Sequence, residues 1–317
     1  MISQWKMFLD ARLEEWNLPT KGKWSFLFLN NYGPQSSNIV LLWFHNADRF
    51  PRVATKLCSE ERILKREFEN LEQIYPCASR WVPRPLSFEK QGGLWALWME
   101  SVPGLSPPPQ DYRPAWLQPL TGTLASMHEA IRNQGERLSP ERYRRMVLDP
   151  LETVAQLGEE ASVRAGCAEM RARISAEWME SLPVIPQHGD LFSGNLLLDR
   201  DRWHVVDWES FGVVDFPFYD LLTLLISLLT AQRNKVEEWD PILVKQAPAL
   251  VECYSRKLGL SLADVSLLLP LTLANWCHLQ WCDGRKAFTD RMYKTIQNYF
   301  ESADQWQRVF VGSGSAG

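Results

Sequence analysis

The sequence predicts an α+β fold in two lobes, a small antiparallel-sheet lobe followed by a larger, mainly helical one. Three observations carry this: turn-separated short apolar segments within the first hundred residues, a proline run after them, and helix-period hydrophobicity over most of the remainder. The chain has 317 residues, enough for about two domains at ~150 residues each. Hydrophobic residues make up 45% and charged residues 23%, an ordinary balance for a packed chain that argues against a disordered or fibrous one. A formal charge of -4 exerts no pull toward polyanions, so neither nucleic acid nor an acidic membrane face is an expected partner. Six cysteines lie dispersed without a CxxC pair and read as reduced thiols. Lys6, Asp10 and two glutamates interrupt the opening segment where a secretory leader needs an apolar run. The most apolar run, Leu221 to Ala231, is about half the ~20 residues a membrane span requires. A cytoplasmic location is therefore expected.

The segments WSFLFL, NIVLLWF and RVATKL, separated by NNYGPQSS and HNADRFP, predict three consecutive antiparallel strands between Trp24 and Leu57. Ser59 is expected to cap a helix that carries Ile63, Leu64, Phe68, Leu71 and Ile74 on one face and stops at Pro76. WALWMESVPG follows as an apolar strand ending at Pro103 and Gly104. The prolines Pro107 to Pro109 can continue neither strand nor helix and mark a junction. Helical periodicity then covers Trp116 to Ile131, Tyr143 to Leu157, Val163 to Leu182, Phe218 to Ala231 and segments after Pro241. One hairpin interrupts it, LLLD and WHVVDW turning at Asp199 to Arg202. The expected division is 1–103, an N-terminal lobe of sheet and helix; 104–311, a helical C-terminal lobe; and 312–317, a flexible GSGSAG tail.

The chemistry-bearing stretch is His188-Gly189-Asp190, with Asn195 five positions beyond that aspartate and Asp207 twelve beyond Asn195, on the return strand of the hairpin. Phosphoryl transfer needs an aspartate to orient or deprotonate an attacking hydroxyl. It also needs an amide oxygen and a carboxylate to hold Mg²⁺ against the phosphates. A turn-capping aspartate and asparagine is the bland alternative.

HGDLFSGN resembles the HGDxxxxN catalytic loop of the aminoglycoside phosphotransferase and choline kinase family, distant relatives of protein kinases. VVDWE is similar to that family's metal-binding DxE strand, and DFPFYDLL to the GDPxxDLA segment after it. The resemblance implies a bilobal protein-kinase-like fold, with Asp190 as catalytic base and Asn195 and Asp207 as metal ligands. His188 would brace the loop backbone rather than react, and Asp220 would anchor its helix or tie down the loop. Glu209 is left open between a second metal, a substrate group and a bystander.

Lys56 resembles the family's phosphate-binding lysine. At 100° per residue Glu67 falls within the apolar stripe of the following helix, where a carboxylate needs a partner, and Lys56 is the natural one. The loop Gly33 to Asn38 stands where the family carries its nucleotide loop; it departs from a glycine-rich pattern but offers Ser36 and Ser37 to phosphate oxygens. WMESVPG resembles the family's hinge, so backbone groups around Trp98, Met99 and Glu100 are expected to meet adenine. Trp276 and Asp283, with Glu209, are candidates for the acceptor site, although core packing is the plainer role for Trp276. His128 reads as a structural hydrogen-bonding group, and Arg142, Arg144 and Arg145 as a solvated helix face.

These readings imply an enzyme that uses ATP, with GTP left open, and Mg²⁺ to phosphorylate a hydroxyl of a small molecule. An amino sugar or amino alcohol is mildly preferred, because Glu209, Asp220 and Asp283 would give one cleft a negative lining. The alternatives are a catalytically silent nucleotide-binding scaffold, which need not have kept Lys56, Asp190, Asn195 and Asp207, and a kinase of a protein or polymer-linked acceptor. Only nine positions separate Glu209 from Phe218, too short for the activation segment of a protein kinase.

Overall fold

A computed structural model of the chain describes residues 2–30, 39–132, 140–231 and 236–312. The chain divides into two compact units, Met1–Ser106 with Asn195–Ser210, and Pro107–Gly194 with Phe211–Gly317. The first exit from the sheet unit thus lies three residues past the expected 103/104 boundary. The hairpin that carries Asp207 is counted with the sheet rather than with the helices.

The first unit opens with α1 (Ile2–Arg12). β1 (Trp24–Asn30), β2 (Ile39–His45) and β3 (Val53–Cys58) follow, then α2 (Glu61–Ala78), β4 (Pro85–Gln91) and β5 (Leu94–Glu100). The strands form one antiparallel sheet in the order β1-β2-β3-β5-β4. The three consecutive strands are where the turn spacing put them. α1 and β4 went unread: β4 begins with proline, is polar and is half-exposed almost throughout, so no alternating pattern marks it. α2 begins at Glu61 behind Glu60, which makes no side-chain cap, so Ser59 does not cap it. Nor does Pro76 stop it. A proline in the last turn forfeits a single amide bond there, and Cys77 and the fully buried Ala78 complete the turn.

Tryptophans fill the core of this unit. Trp98 of β5 is 0% exposed and lies 5.1 Å from Phe8, 5.5 Å from Trp16, 6.0 Å from Trp43 and 6.2 Å from Trp5 by ring centroids. α1 and the segment after it are thereby clamped to the sheet. β6 (Leu196–Asp199) and β7 (Arg202–Val205) pair antiparallel and join this unit through a bridge between Leu105 and Leu198. Gly104 makes that approach possible. Its φ is +126°, and a Cβ there would stand 2.8 Å from the Leu198 carbonyl carbon.

The second unit contains α3 (Pro114–Ala130), α4 (Pro140–Tyr143), α5 (Asp149–Leu157), α6 (Ala161–Arg173) and α7 (Ala176–Ser181). α8 (Tyr219–Leu229), α9 (Pro241–Leu258), α10 (Val265–Cys282), α11 (Lys286–Glu301) and α12 (Ala303–Val311) complete it. The single helix expected over 143–157 contains a π turn at Arg144–Leu148, and the one expected over 163–182 breaks at Ser175, whose Oγ caps α7 by accepting from the Trp178 amide. α8 is buried from Tyr219 through Ile226. Leu262–Cys282 has the length and hydropathy of a membrane span, but 61% of its most apolar 18-residue window is buried, as in a core helix. None of the six cysteines is joined in a disulfide.

Replacing Trp98 by alanine would open a large void in the aromatic cluster and is expected to cost ~3–5 kcal/mol. Trp281→Ala, at a site 52% exposed, should stay within about 0.5 kcal/mol. Urea unfolding followed by circular dichroism checks both values.

Candidate active site

In the first unit three charged side chains meet. Lys56, on β3, has its Nζ 2.7 Å from each carboxylate oxygen of Glu67 on α2 and 2.5 Å from Oδ1 of Asp207. Side-chain exposure is 16% for Lys56, 1% for Glu67 and 38% for Asp207. Burial pulls the Lys56 ammonium down, but the Asp207 and Glu67 carboxylates outweigh it and hold it above the ordinary lysine range. Burial pushes the Glu67 carboxyl up, to about 7; Lys56 opposes that shift, while the negative charges of Asp207 and Glu209 reinforce it.

Asp207 is presented by a strained backbone. Its φ is +72°, in the left-handed region that aspartate tolerates better than most residues. The segment after it is pinned to α2, because Asn70 Nδ2 donates to the Trp208 carbonyl at 2.8 Å and reaches that of Glu209 at 3.4 Å. Asn70 was not foreseen, although it stands three residues from Glu67 and so shares its helix face. Asn195 is 6% exposed and directly precedes β6, and its carbonyl accepts from the Val206 amide at 3.0 Å. Asn195 and Asp207 therefore sit together at the open end of the hairpin. An amide and a carboxylate are hard oxygen donors of the type Mg²⁺ prefers.

The second unit builds the loop around Asp190. Asp220, at the start of α8, is 0% exposed and accepts from the backbone amides of His188 at 2.7 Å and Gly189 at 3.1 Å, and from His128 Nε2 at 3.0 Å. On its other side the His128 ring meets the Tyr254 hydroxyl at 2.7 Å through Nδ1. Burial would raise the Asp220 carboxyl, but His128 and the loop amides overcome this and hold it below the ordinary aspartate range. The amide of Asp190 donates to His188 Nδ1 at 3.3 Å, so the buried histidine supports the loop that carries the aspartate. Asp190 itself is 19% exposed, with the Arg285 guanidinium 3.8 Å away.

Several expected positions resolve differently. The backbone of Trp98 and Met99 is engaged in ladders with β3 on one side and β4 on the other, and the Glu100 amide donates to the Arg84 carbonyl at 2.8 Å. The adenine contacts expected of Trp98, Met99 and Glu100 thus concern backbone that already forms part of the sheet. Trp276 is 7% exposed and belongs to the core. Asp283 is 55% exposed, 3.7 Å from Arg285. Because Asp220 is wholly enclosed, it lines no acceptor pocket, and the argument for a cationic acceptor loses that residue. Arg142 is no solvated charge either: its side chain is 10% exposed and its Nε donates to Asp215 at 2.5 Å. Ser36 and Ser37 lie outside the described residues.

This architecture is shared by structures of small-molecule kinases. Choline kinase from Cryptosporidium parvum superposes with a TM-score of 0.67 at 11% identity, over 98% of this chain and 99% of that one. Aminoglycoside phosphotransferase APH(4)-Ia, in a thermostable mutant form with ADP and hygromycin B, gives 0.57 at 15% identity over 92% and 97%. Amicoumacin kinase hAmiN, in complex with AMP-PNP, Ca²⁺ and Ami, gives 0.56 at 15% identity over 94% and 96%. No curated protein matches the chain. Residues 44–250 match the family model described as "Phosphotransferase enzyme family", and the chain belongs to that family. It is a member of a phosphotransferase family with the fold of those kinases.

Asp220→Asn would turn a pure acceptor into a group with its own donors, facing buried N–H groups, and should cost ~3–5 kcal/mol. A depressed folded pKa contributes stability that is present above the unfolded value, about 4, and lost as pH falls below it. Thermal melts from pH 7 to pH 2 should therefore show a flatter acid limb in the variant.

Proposed function

We propose that the chain transfers the γ-phosphoryl group of ATP, in the presence of Mg²⁺, to a hydroxyl of a small molecule. The observation that carries this is the buried Lys56 ammonium clasped by Glu67 and Asp207. Two carboxylates on one ammonium leave an excess of negative charge when all are ionised, which suits a site built to receive a divalent cation beside a lysine that faces phosphate oxygens. Asn195 and Asp207 would hold that cation. When bound, Mg²⁺ neutralises charge on the phosphates.

The remaining roles fall to the chain itself. Lys56, kept charged by its carboxylates, binds the α- and β-phosphates. Asp190, fixed through its amide to His188 and through the loop to Asp220, receives the proton of the acceptor hydroxyl. The acceptor oxygen forms a bond to the γ-phosphorus as the bond to the bridging oxygen breaks, and a nucleoside diphosphate leaves. Adenine contacts would come from backbone groups around Trp98, Met99 and Glu100.

Asp190→Ala should lower kcat by at least ~10² while leaving nucleotide affinity within about twofold, as measured by coupled ATP turnover and by titration with a fluorescent ATP analogue. Equal turnover in the variant would remove Asp190 from the mechanism. Asp207→Ala should abolish the Mg²⁺ dependence of nucleotide binding; an unchanged dependence would reassign that ligand.

A further inference from the structure

We propose that Arg285 selects the acceptor, and that the acceptor carries an anionic group, a carboxylate or a phosphate, close to the hydroxyl that is phosphorylated. The inference rests on the reading of Asp190 as the group that takes up that hydroxyl. Arg285 lies in the turn between α10 and α11. The Gly284 amide returns to the Trp281 carbonyl and the Arg285 amide to the Gln280 carbonyl, with Gly284 at φ +69° reversing the chain. This turn sends the guanidinium to within 3.8 Å of Asp190 Oδ2, with Asp283 Oδ2 at 3.7 Å on its other side and 36% of the side chain exposed.

Geometry then constrains the acceptor. A hydroxyl delivered to Asp190 must come within about 2.6–3.2 Å of its carboxylate. The atoms next to that hydroxyl therefore fall within reach of a guanidinium already at ion-pair distance from the same carboxylate. A carboxylate or phosphate there gains a forked, charge-assisted partner. An ammonium at the same place meets the like charge of the guanidinium, which the carboxylates of Asp190 and Asp283 offset in part. The position therefore favours hydroxy acids and sugar or polyol phosphates over amino sugars and amino alcohols.

Two matched series provide the test: glucose, glucosamine, glucuronate and glucose 6-phosphate; and glycerol, serinol, glycerate and glycerol 3-phosphate. Each is assayed as acceptor with ATP and Mg²⁺ on the wild type, Arg285→Gln and Arg285→Lys. In the wild type, kcat/KM for an anionic member should exceed that of its cationic and neutral counterparts by about tenfold or more. Arg285→Gln should lower that value about tenfold, mainly through KM, and should lower kcat/KM for neutral acceptors by a clearly smaller factor. Arg285→Lys should recover part of the loss, because it keeps the charge without the fork. The glucuronate and glycerate arms against the phosphate arms decide which anion is preferred. Preference for a cationic member, an equal loss for every acceptor in Arg285→Gln, or no transfer to any anionic member overturns the proposal. Asp190-dependent transfer to glucosamine or serinol would leave the phosphotransferase reading standing while this one fails. ATP turnover indifferent to Asp190→Ala in every arm would instead strike that reading itself.

Discussion

An ammonium held largely out of water between two carboxylates is the constraint on which the first unit depends. Lys56 has 16% of its side chain exposed, so a carboxylate must accompany it, and a single lysine cannot comfortably serve two without fixing both. Each partner comes from a different element. Glu67 ties α2 to β3, and Asp207 ties the end of the β6–β7 hairpin to both. The strained backbone at Asp207 and the amide of Asn70 clasping the next turn follow from the need to bring that third group in.

The helical unit solves a similar problem with a different device. Asp220 is fully enclosed, and its charge is met by two backbone amides and an imidazole. Because those amides belong to His188 and Gly189, the same hydrogen bonds that keep the carboxylate ionised also hold the loop on which Asp190 stands. For the proposed role of Asp190 this matters, since an aspartate on a wandering loop could not hold an acceptor in place; the loop is fastened from below while the Asp190 side chain keeps part of its surface open.

Much of this was legible in the sequence, for physical reasons that vary from residue to residue. The loop from His188 to Asn195 and the following Asp207 stood out because their side chains recur at short, fixed intervals that resemble a known motif, and the roles proposed for them rest on that resemblance. Lys56 and Glu67 could be paired because a carboxylate on the apolar face of a helix cannot go without a cation. The partnership of Asp220 with His128 spans 92 positions, and that of Arg285 with Asp190 spans 95, and no local pattern connects such residues. An arginine in a polar turn looks like any solvated charge until the fold brings a carboxylate beside it. Arg142 was misread for the same reason, since its partner Asp215 lies 73 positions away. β4 stayed hidden because an edge strand that buries little needs little apolar patterning.

The hairpin stitched to the sheet by Gly104 and the Leu105–Leu198 bridge has a consequence for how the polypeptide can be cut. The backbone leaves the first unit at Ser106, comes back at Asn195 and departs again after Ser210. Neither unit is one uninterrupted stretch of sequence. A nick anywhere between Ser106 and Asn195 would strand Asp207 on a piece separate from Lys56, and no single scission yields either half by itself.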